Sequence, residues 1–248
     1  MRWYCKDPVS QTFSTIAHNA IEAAYPHLWQ GLAGAWVPSL GVTGETLRDA
    51  SGRKHHGTLT NMDPATDWQV SGSGWCLDFD GSNDYAHVPN FGQNATTAAT
   101  VFCRYQAHSL TAGWHKAVIF PYGATSWAAP YYVWQLGFYQ NKLFSGFNVN
   151  NDWTRGHLPD VDTAQTGRWY NVCGVFNRGF LELYVDGKLK ATKNSAAYGT
   201  SLYYGTGNSV AFGTDASYFI FEQLTGQIAE TYVYDRALSA AEVKQIHS

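Results

Sequence analysis

The sequence predicts an all-β sandwich, on three observations. From Gly31 onward, short runs rich in Val, Phe, Tyr and Trp are separated by Gly, Asn, Asp and Pro clusters at roughly ten-residue spacing. The composition is 45% hydrophobic, 16% aromatic and only 14% charged, which suits a strand-rich globule and neither a membrane nor a disordered chain. The 248 residues are also a usual length for one large β domain with a sizeable core.

The elements follow in order. Residues 7–25 read as the one long helix: Asp7 caps, Pro8 suits the first turn, and Val9, Phe13, Ile16, Ala17, Ala20, Ile21 and Ala24 form an apolar stripe that Pro26 ends. Such a stripe must be buried, in the body of the same chain or in a neighbouring subunit or assembly. Residues 1–30 are therefore set apart as a helical arm for docking or oligomerisation.

LDFDGSNDYAHVP, residues 77–89, reads as strand, turn, strand, with Leu77 and Phe79 on one face and Asp80, Asn83 and Asp84 bonding the turn's own backbone. FYQNKLFSGFNV, residues 138–149, is a hairpin with Gln140-Asn141 at its turn. In residues 169–192, Leu181, Leu183 and Val185 alternate with Glu182, Tyr184 and Asp186. Asp186-Gly187 there tolerates the positive φ angles of a tight turn. GQIAETYVYD alternates as a strand, and Ser239-x-x-Glu242 is a capping box opening a short final helix. No repeat or low-complexity linker divides residues 31–248, which are treated as one domain.

Several classes of function are excluded. A net charge of −3 with 16 Lys and Arg leaves no basic face for nucleic acid. The first residues lack the apolar core of a secretion signal, and no later run reaches membrane-spanning length. Cys5, Cys76, Cys103 and Cys173 form no C-x-x-C pair, so buried thiols are expected, with a Cys103–Cys173 disulfide as the alternative.

AGAW (33–36), DASGRKHHGTLT (49–60), LDFDGSNDYAHVP (77–89), RWYNVCGVFNRGFLELYVDGKLKA (168–191) and GQIAETYVYDRALSAAEV (226–243), in this order, resemble the recurring blocks of the laminin G-like, concanavalin A-like jelly-roll family. The resemblance covers residues 31–248. It implies a jelly-roll sandwich of two curved antiparallel sheets, one concave, flanked here by an N-terminal helix and a short C-terminal one. Its rim loops are where relatives place calcium, glycans or protein partners. The fold hosts lectins, glucanases, lyases and structural modules alike, so function must be argued from the residues.

A retaining glucanase of this fold places two carboxylates roughly 5 Å apart through a Glu-x-Asp-x-Glu type motif. No such motif is present; Glu182 and Asp186 come nearest, and Asp186 is needed in its turn. A lyase would need a Tyr or His base beside groups neutralising a uronate. Sixteen tyrosines and nine histidines supply chance candidates too easily to count. His55-His56 read as exposed loop residues, because adjacent rings seldom meet at one ion. Asp78-x-Asp80-Gly81 is no EF-hand. Where the family's last strand has Ile-Asp-Glu-Val, this chain has Ile228-Ala229-Glu230-Thr231, so the resemblance carries no calcium ligand there. No cofactor is required, and a structural calcium on Asp49, Asp80 or Asp84 with loop carbonyls is the one left open.

Sugar rings are bound by flat aromatic faces with polar groups ordering the hydroxyls. Trp114, His115, Tyr122, Trp127 and Tyr131 lie between strand-like runs, and Asp152, Trp153, Arg155 and His157 follow in NNDWTRGH. The first eight of these nine are the candidate ligand-binding residues, against the alternative that they pack loops or a subunit interface. The leading reading is a non-catalytic module that recognises a carbohydrate or a surface partner through aromatic rim loops. Second comes a structural, decoration or fibre component of a virus-like particle, docked through residues 1–30 and displayed at the particle surface. A polysaccharide-degrading enzyme is third.

Overall fold

The computed structural model describes residues 25–72, 74–92, 97–111, 113–120, 132–150, 152–202, 209–214 and 223–247. The helix expected over 7–25 lies outside them, except for Tyr25.

Two eight-stranded antiparallel sheets form the sandwich. The first comprises β1 (Leu32–Trp36), β4 (Trp68–Ser71), β5 (Gly74–Asp80), β7 (Ala98–Ala107), β12 (Tyr170–Asn177), β13 (Phe180–Val185), β14 (Lys188–Asn194) and β16 (Thr225–Tyr234), numbered in chain order. Its order is β14-β13-β12-β7-β16-β5-β4, with β1 also paired to β16. The second holds β2 (Thr46–Leu47), β3 (Gly57–Thr60), β6 (Tyr85–Val88), β8 (Trp114–Phe120), β9 (Trp134–Tyr139), β10 (Lys142–Phe147), β11 (His157–Pro159) and β15 (Val210–Phe212). Its order is β11-β10-β9-β8-β15-β6-β3-β2. Two α-helices are described, α1 (Trp153–Gly156) and α2 (Ala240–Ile246).

Both expected hairpins form. Gln140 and Asn141 have φ of 48° and 61°, and Asp186 and Gly187 have 50° and 73°. Positive φ at both central residues matches the right-handed twist of the paired strands. The 77–89 segment does more than turn: β5 belongs to the first sheet and β6 to the second, so the turn carries the chain across the sandwich. Its acids work as expected from sequence. Asp80 Oδ1 accepts from the Ser82 and Asn83 amides, and Asp84 Oδ2 from the Asp80 amide.

One apolar core lies between the sheets, built around Trp36, Phe79, Leu136, Phe138, Phe147, Phe176 and Phe212. The Tyr105 hydroxyl crosses it to donate to the Gly137 carbonyl, 2.9 Å away. A second cluster covers the outer face of the first sheet, where Phe102, Cys173, Tyr232 and Tyr234 meet Leu28, Leu238, Val243 and Ile246. The capping box at Ser239 and Glu242 starts α2 as the sequence predicts. Arg236 ties this corner together, donating to the His27 and Gln30 carbonyls and to Glu242. Burial alone would raise the Glu242 carboxyl, but these bonds bring it down to about 2.

Cys76, Cys103 and Cys173 are buried free thiols. A Cys103–Cys173 disulfide does not form, because Cys103 faces the inter-sheet core and Cys173 the outer cluster. Burial pushes the Cys76 and Cys103 thiols up to about 12, which leaves them unreactive.

Candidate functional site

The second cluster covers part of the outer face of the first sheet, and on the outer face of the second sheet half-exposed aromatic side chains gather at one end. Register partners run straight across the second sheet: Thr46, Thr58, His87, Ala211, Ile119, Gln135, Gly146 and His157. Their strand neighbours Leu59, Ala86, Phe212, Leu136 and Phe147 point into the core, so the described side chains of this row lie on the opposite face, where Ala211, Gln135 and Gly146 are nonetheless buried.

At the β8–β11 end of this face the side chains become aromatic. Trp114 stacks on Tyr139 with ring centres 4.0 Å apart and planes at 30°. Phe144 and His157 each lie 5.0 Å from Trp114. Lys116, only 3% exposed, places its ammonium 4.0 Å from the centre of the Trp114 ring and 5.2 Å from that of Phe144. A buried cation is tolerated there because the ring quadrupoles face it. Phe144 is buried, whereas Trp114, Tyr139 and His157 are half-buried and reach the surface.

Beside this cluster α1 leads directly into β11. Asp152 caps α1 by accepting from the Thr154 amide and pairs with Arg155 at 2.7 Å. The Arg155 guanidinium lies 3.8 Å from the centre of the Tyr198 ring, itself 52% exposed. Lys193 on β14 donates to the Thr154 carbonyl. Only Gly156 separates Arg155, a fixed cation on a tyrosine face, from His157 in the half-exposed aromatic cluster. Gln135 and Asn148 are 1% and 0% exposed, and the Gln135 Oε1 and both Asn148 amide atoms lack hydrogen bonds. They are too deep to count among the groups a ligand would meet.

Of the eight sequence candidates, Trp114, Asp152 and Arg155 fall on this surface. Tyr122, Trp127 and Tyr131 lie outside the described residues, as does the side chain of Trp153, whose backbone is in α1. His115 faces the other way. It is 9% exposed, with Nδ1 3.0 Å from the Gln223 carbonyl and Nε2 2.9 Å from the Thr111 hydroxyl. Strand alternation explains the correction, since neighbours on β8 point to opposite faces. Lys116, Tyr139, Phe144 and Tyr198 were not among the candidates. The available signal was cross-strand pairing, because Tyr139 is the register partner of Trp114.

The proposed metal residues are separately engaged. Asp49 is 7% exposed and accepts from the Ala35, Ser51 and His55 amides and the Ser51 hydroxyl. Asp80 and Asp84 hold their turn. Among the described residues no three His, Cys, Asp or Glu side chains converge on a common point. His56 is exposed as expected, but His55 is half-buried, its Nδ1 3.1 Å from the Ala33 carbonyl and its ring against Phe91. Ala229, where the family has Asp, is buried where the β16–β7 register shifts. Glu230 beside it is buried and its carboxyl raised by that burial.

Burial, with the Lys116 and Lys193 ammonium groups nearby, pushes His157 down to about 4. The fold therefore favours the neutral ring, and the unfolded chain binds the extra proton between about pH 6.5 and 4. This contribution to stability is complete above about pH 6.5 and drains as pH falls toward 4. Asp84, raised to about 6 by burial and by the carboxylates of Asp80, Asp67 and Asp78, acts in the opposite sense over much of that window. The test is therefore residue-resolved: the His157 imidazole proton resonances should keep their neutral positions at pH 5.5. A midpoint near 6.5 would refute the assignment.

Comparison with known proteins agrees with this architecture. The model of the concanavalin A-like lectin/glucanases superfamily matches residues 80–244. No curated protein matches the chain. Among solved structures, the Trypanosoma rangeli sialidase in complex with 2,3-difluorosialic acid aligns with a TM-score of 0.63 at 14% identity, covering 88% of this chain. The match spans only 33% of the sialidase. Domain 4 of AbnA, a GH43 extracellular arabinanase from Geobacillus stearothermophilus in complex with arabinotriose, aligns at 0.63 and 16% identity over 88% of this chain and 98% of that domain. The binding domain of Paraclostridial Mosquitocidal Protein 1 aligns at 0.65 and 13% identity over 89% of this chain and 52% of its own length. At these identities the likeness is one of fold. No helix among the described residues is long and apolar enough to cross a membrane.

Proposed function

Given that the chain belongs to the concanavalin A-like lectin/glucanases superfamily, we propose that it is a non-catalytic module recognising a glycan through the outer face of its second sheet. The observation that carries this reading is the Trp114–Tyr139 stack, half-exposed beside His157 and next to Arg155 on Tyr198. Flat rings shed water from the apolar face of a sugar, and a guanidinium held by Asp152 donates to its hydroxyls. The arabinanase domain with arabinotriose and the toxin binding domain, which share the fold, support a binding role. The absence of a paired-carboxylate motif from the sequence supports the non-catalytic part.

Glycan-array screening of the full chain followed by calorimetry on the best hit tests it. Trp114→Ala and Tyr139→Ala should each weaken binding by roughly tenfold or more, Tyr139→Ala by removing a stacking face and Trp114→Ala by removing the ring on which Tyr139 is stacked. Trp114→Phe should recover much of it, which separates stacking from general damage to the fold. A full chain that binds no glycan, or affinity unchanged in both alanine variants, would overturn the reading.

A further inference from the structure

Away from the aromatic surface, the edge strands of the two sheets, β11 and β14, meet beside a polar cleft of about 140 Å³. Its wall is the 160–168 connection on one side and the β13–β14 turn on the other. None of the residues of the Trp114–Tyr139 surface lines it.

The cleft has an unusual charge arrangement. Asp160, Asp162 and Asp186 face Arg168, Lys188 and Lys190, so three carboxylates and three cations balance. Two pairs are already formed, Lys190 with Asp162 and Arg168 with Asp186 at 3.0 Å. Asp160 is different. It is 4% exposed, its Oδ1 accepts only a long bond of 3.3 Å from the Asp162 amide, and its Oδ2 accepts none. Its Oδ2 is open to the cleft, where a water or a ligand hydroxyl donates to it. Leu143, Ala164 and Val185 give the same cleft an apolar side.

We infer that this cleft is a second binding site, for a single neutral sugar ring. Asp160 Oδ2 accepts a ring hydroxyl, Lys188 donates to its neighbour, and Leu143, Ala164 and Val185 meet the ring's CH face. A hydroxyl both donates and accepts, so vicinal hydroxyls bridge a carboxylate and an ammonium without disturbing the local neutrality. An anionic sugar would have to sit against Asp160 and displace the existing pairs, and a metal ion would meet three cations. The volume is below the ~300–1,000 Å³ of ordinary ligand pockets, which fits one ring and not an oligosaccharide. This site goes beyond the aromatic surface and does not depend on it.

Amide spectra of the full chain, titrated with the methyl glycosides of arabinose, galactose and glucose and with glucuronate and galactose 6-sulfate, test the inference. At least one neutral glycoside should shift the Thr163, Ala164 and Lys188 amides saturably. Asp160→Asn and Lys188→Ala should each weaken this by about fivefold, the scale of one hydrogen bond, while Trp114→Ala leaves it intact. Saturation absent for every neutral glycoside, tighter binding of the anionic sugars, or shifts that survive both cleft variants would overturn it. Shifts confined to Trp114 and Tyr139 would uphold the aromatic surface and refute the cleft.

Discussion

Asp49→Ala is expected to lower stability by about 3 kcal/mol, as loss of a buried, charged acceptor does when several donors are orphaned together. The carboxylate binds β1 through the Ala35 amide at 2.9 Å and the 49–56 loop through the Ser51 and His55 amides, both at 2.9 Å. The indole of Trp36, next to Ala35, donates to the His55 carbonyl at 2.8 Å, so the loop seats one of the largest core side chains. Denaturant unfolding measures the loss, and Asp49→Asn, which keeps one acceptor oxygen, should lose less. The difference between wild type and Asp49→Ala should be the same in excess calcium and in chelator. A loss that appears only with calcium present would make Asp49 a metal ligand and refute its role as a structural staple.

Gly156→Ala should have a comparable effect and a more local signature. A Cβ at this position would fall 1.5 Å from the Phe147 carbonyl oxygen, a backbone atom that no rotamer change can move. The last residue of α1 must therefore separate from β10, breaking the β10–β11 pairing in which Gly146 faces His157. We expect a loss of about 1–3 kcal/mol, the range for overpacking in a filled site. The Arg155 and His157 amide resonances should shift far more than those of the β12–β13 hairpin. A variant with wild-type melting temperature and unshifted His157 would show that the close approach does not hold α1 in place.

Local chemistry explains why much of this architecture can be read from the chain. Asp186-Gly187 and Gln140-Asn141 specify their turns through backbone conformations that few residue pairs adopt. Ser239 and Glu242 specify a helix start through bonds to each other's backbone. Asp80 and Asp84 were legible as turn formers for the same reason: their partners are two to four residues away. The candidate site was legible only in part. Trp114, Asp152 and Arg155 could be picked from an aromatic and polar run, but period-two alternation does not say which face meets solvent. That is why His115, adjacent to Trp114, turned out to be a buried side chain held by Gln223 and Thr111.

Residue order along the chain thus suffices for the sandwich, its hairpins, its capped last helix and the family to which it belongs, because each rests on contacts between near neighbours or on a recurring pattern. Three-dimensional packing settles the remainder. It sends the strands on either side of Asp80–Asp84 to different sheets and puts Cys103 and Cys173 on opposite faces. It covers part of one sheet's outer face with Leu28, Val243 and Ile246, and gathers Trp114, Tyr139 and His157 on the outer face of the other. These outcomes depend on side chains tens to hundreds of positions apart competing for the same buried area, a competition no short stretch of sequence contains.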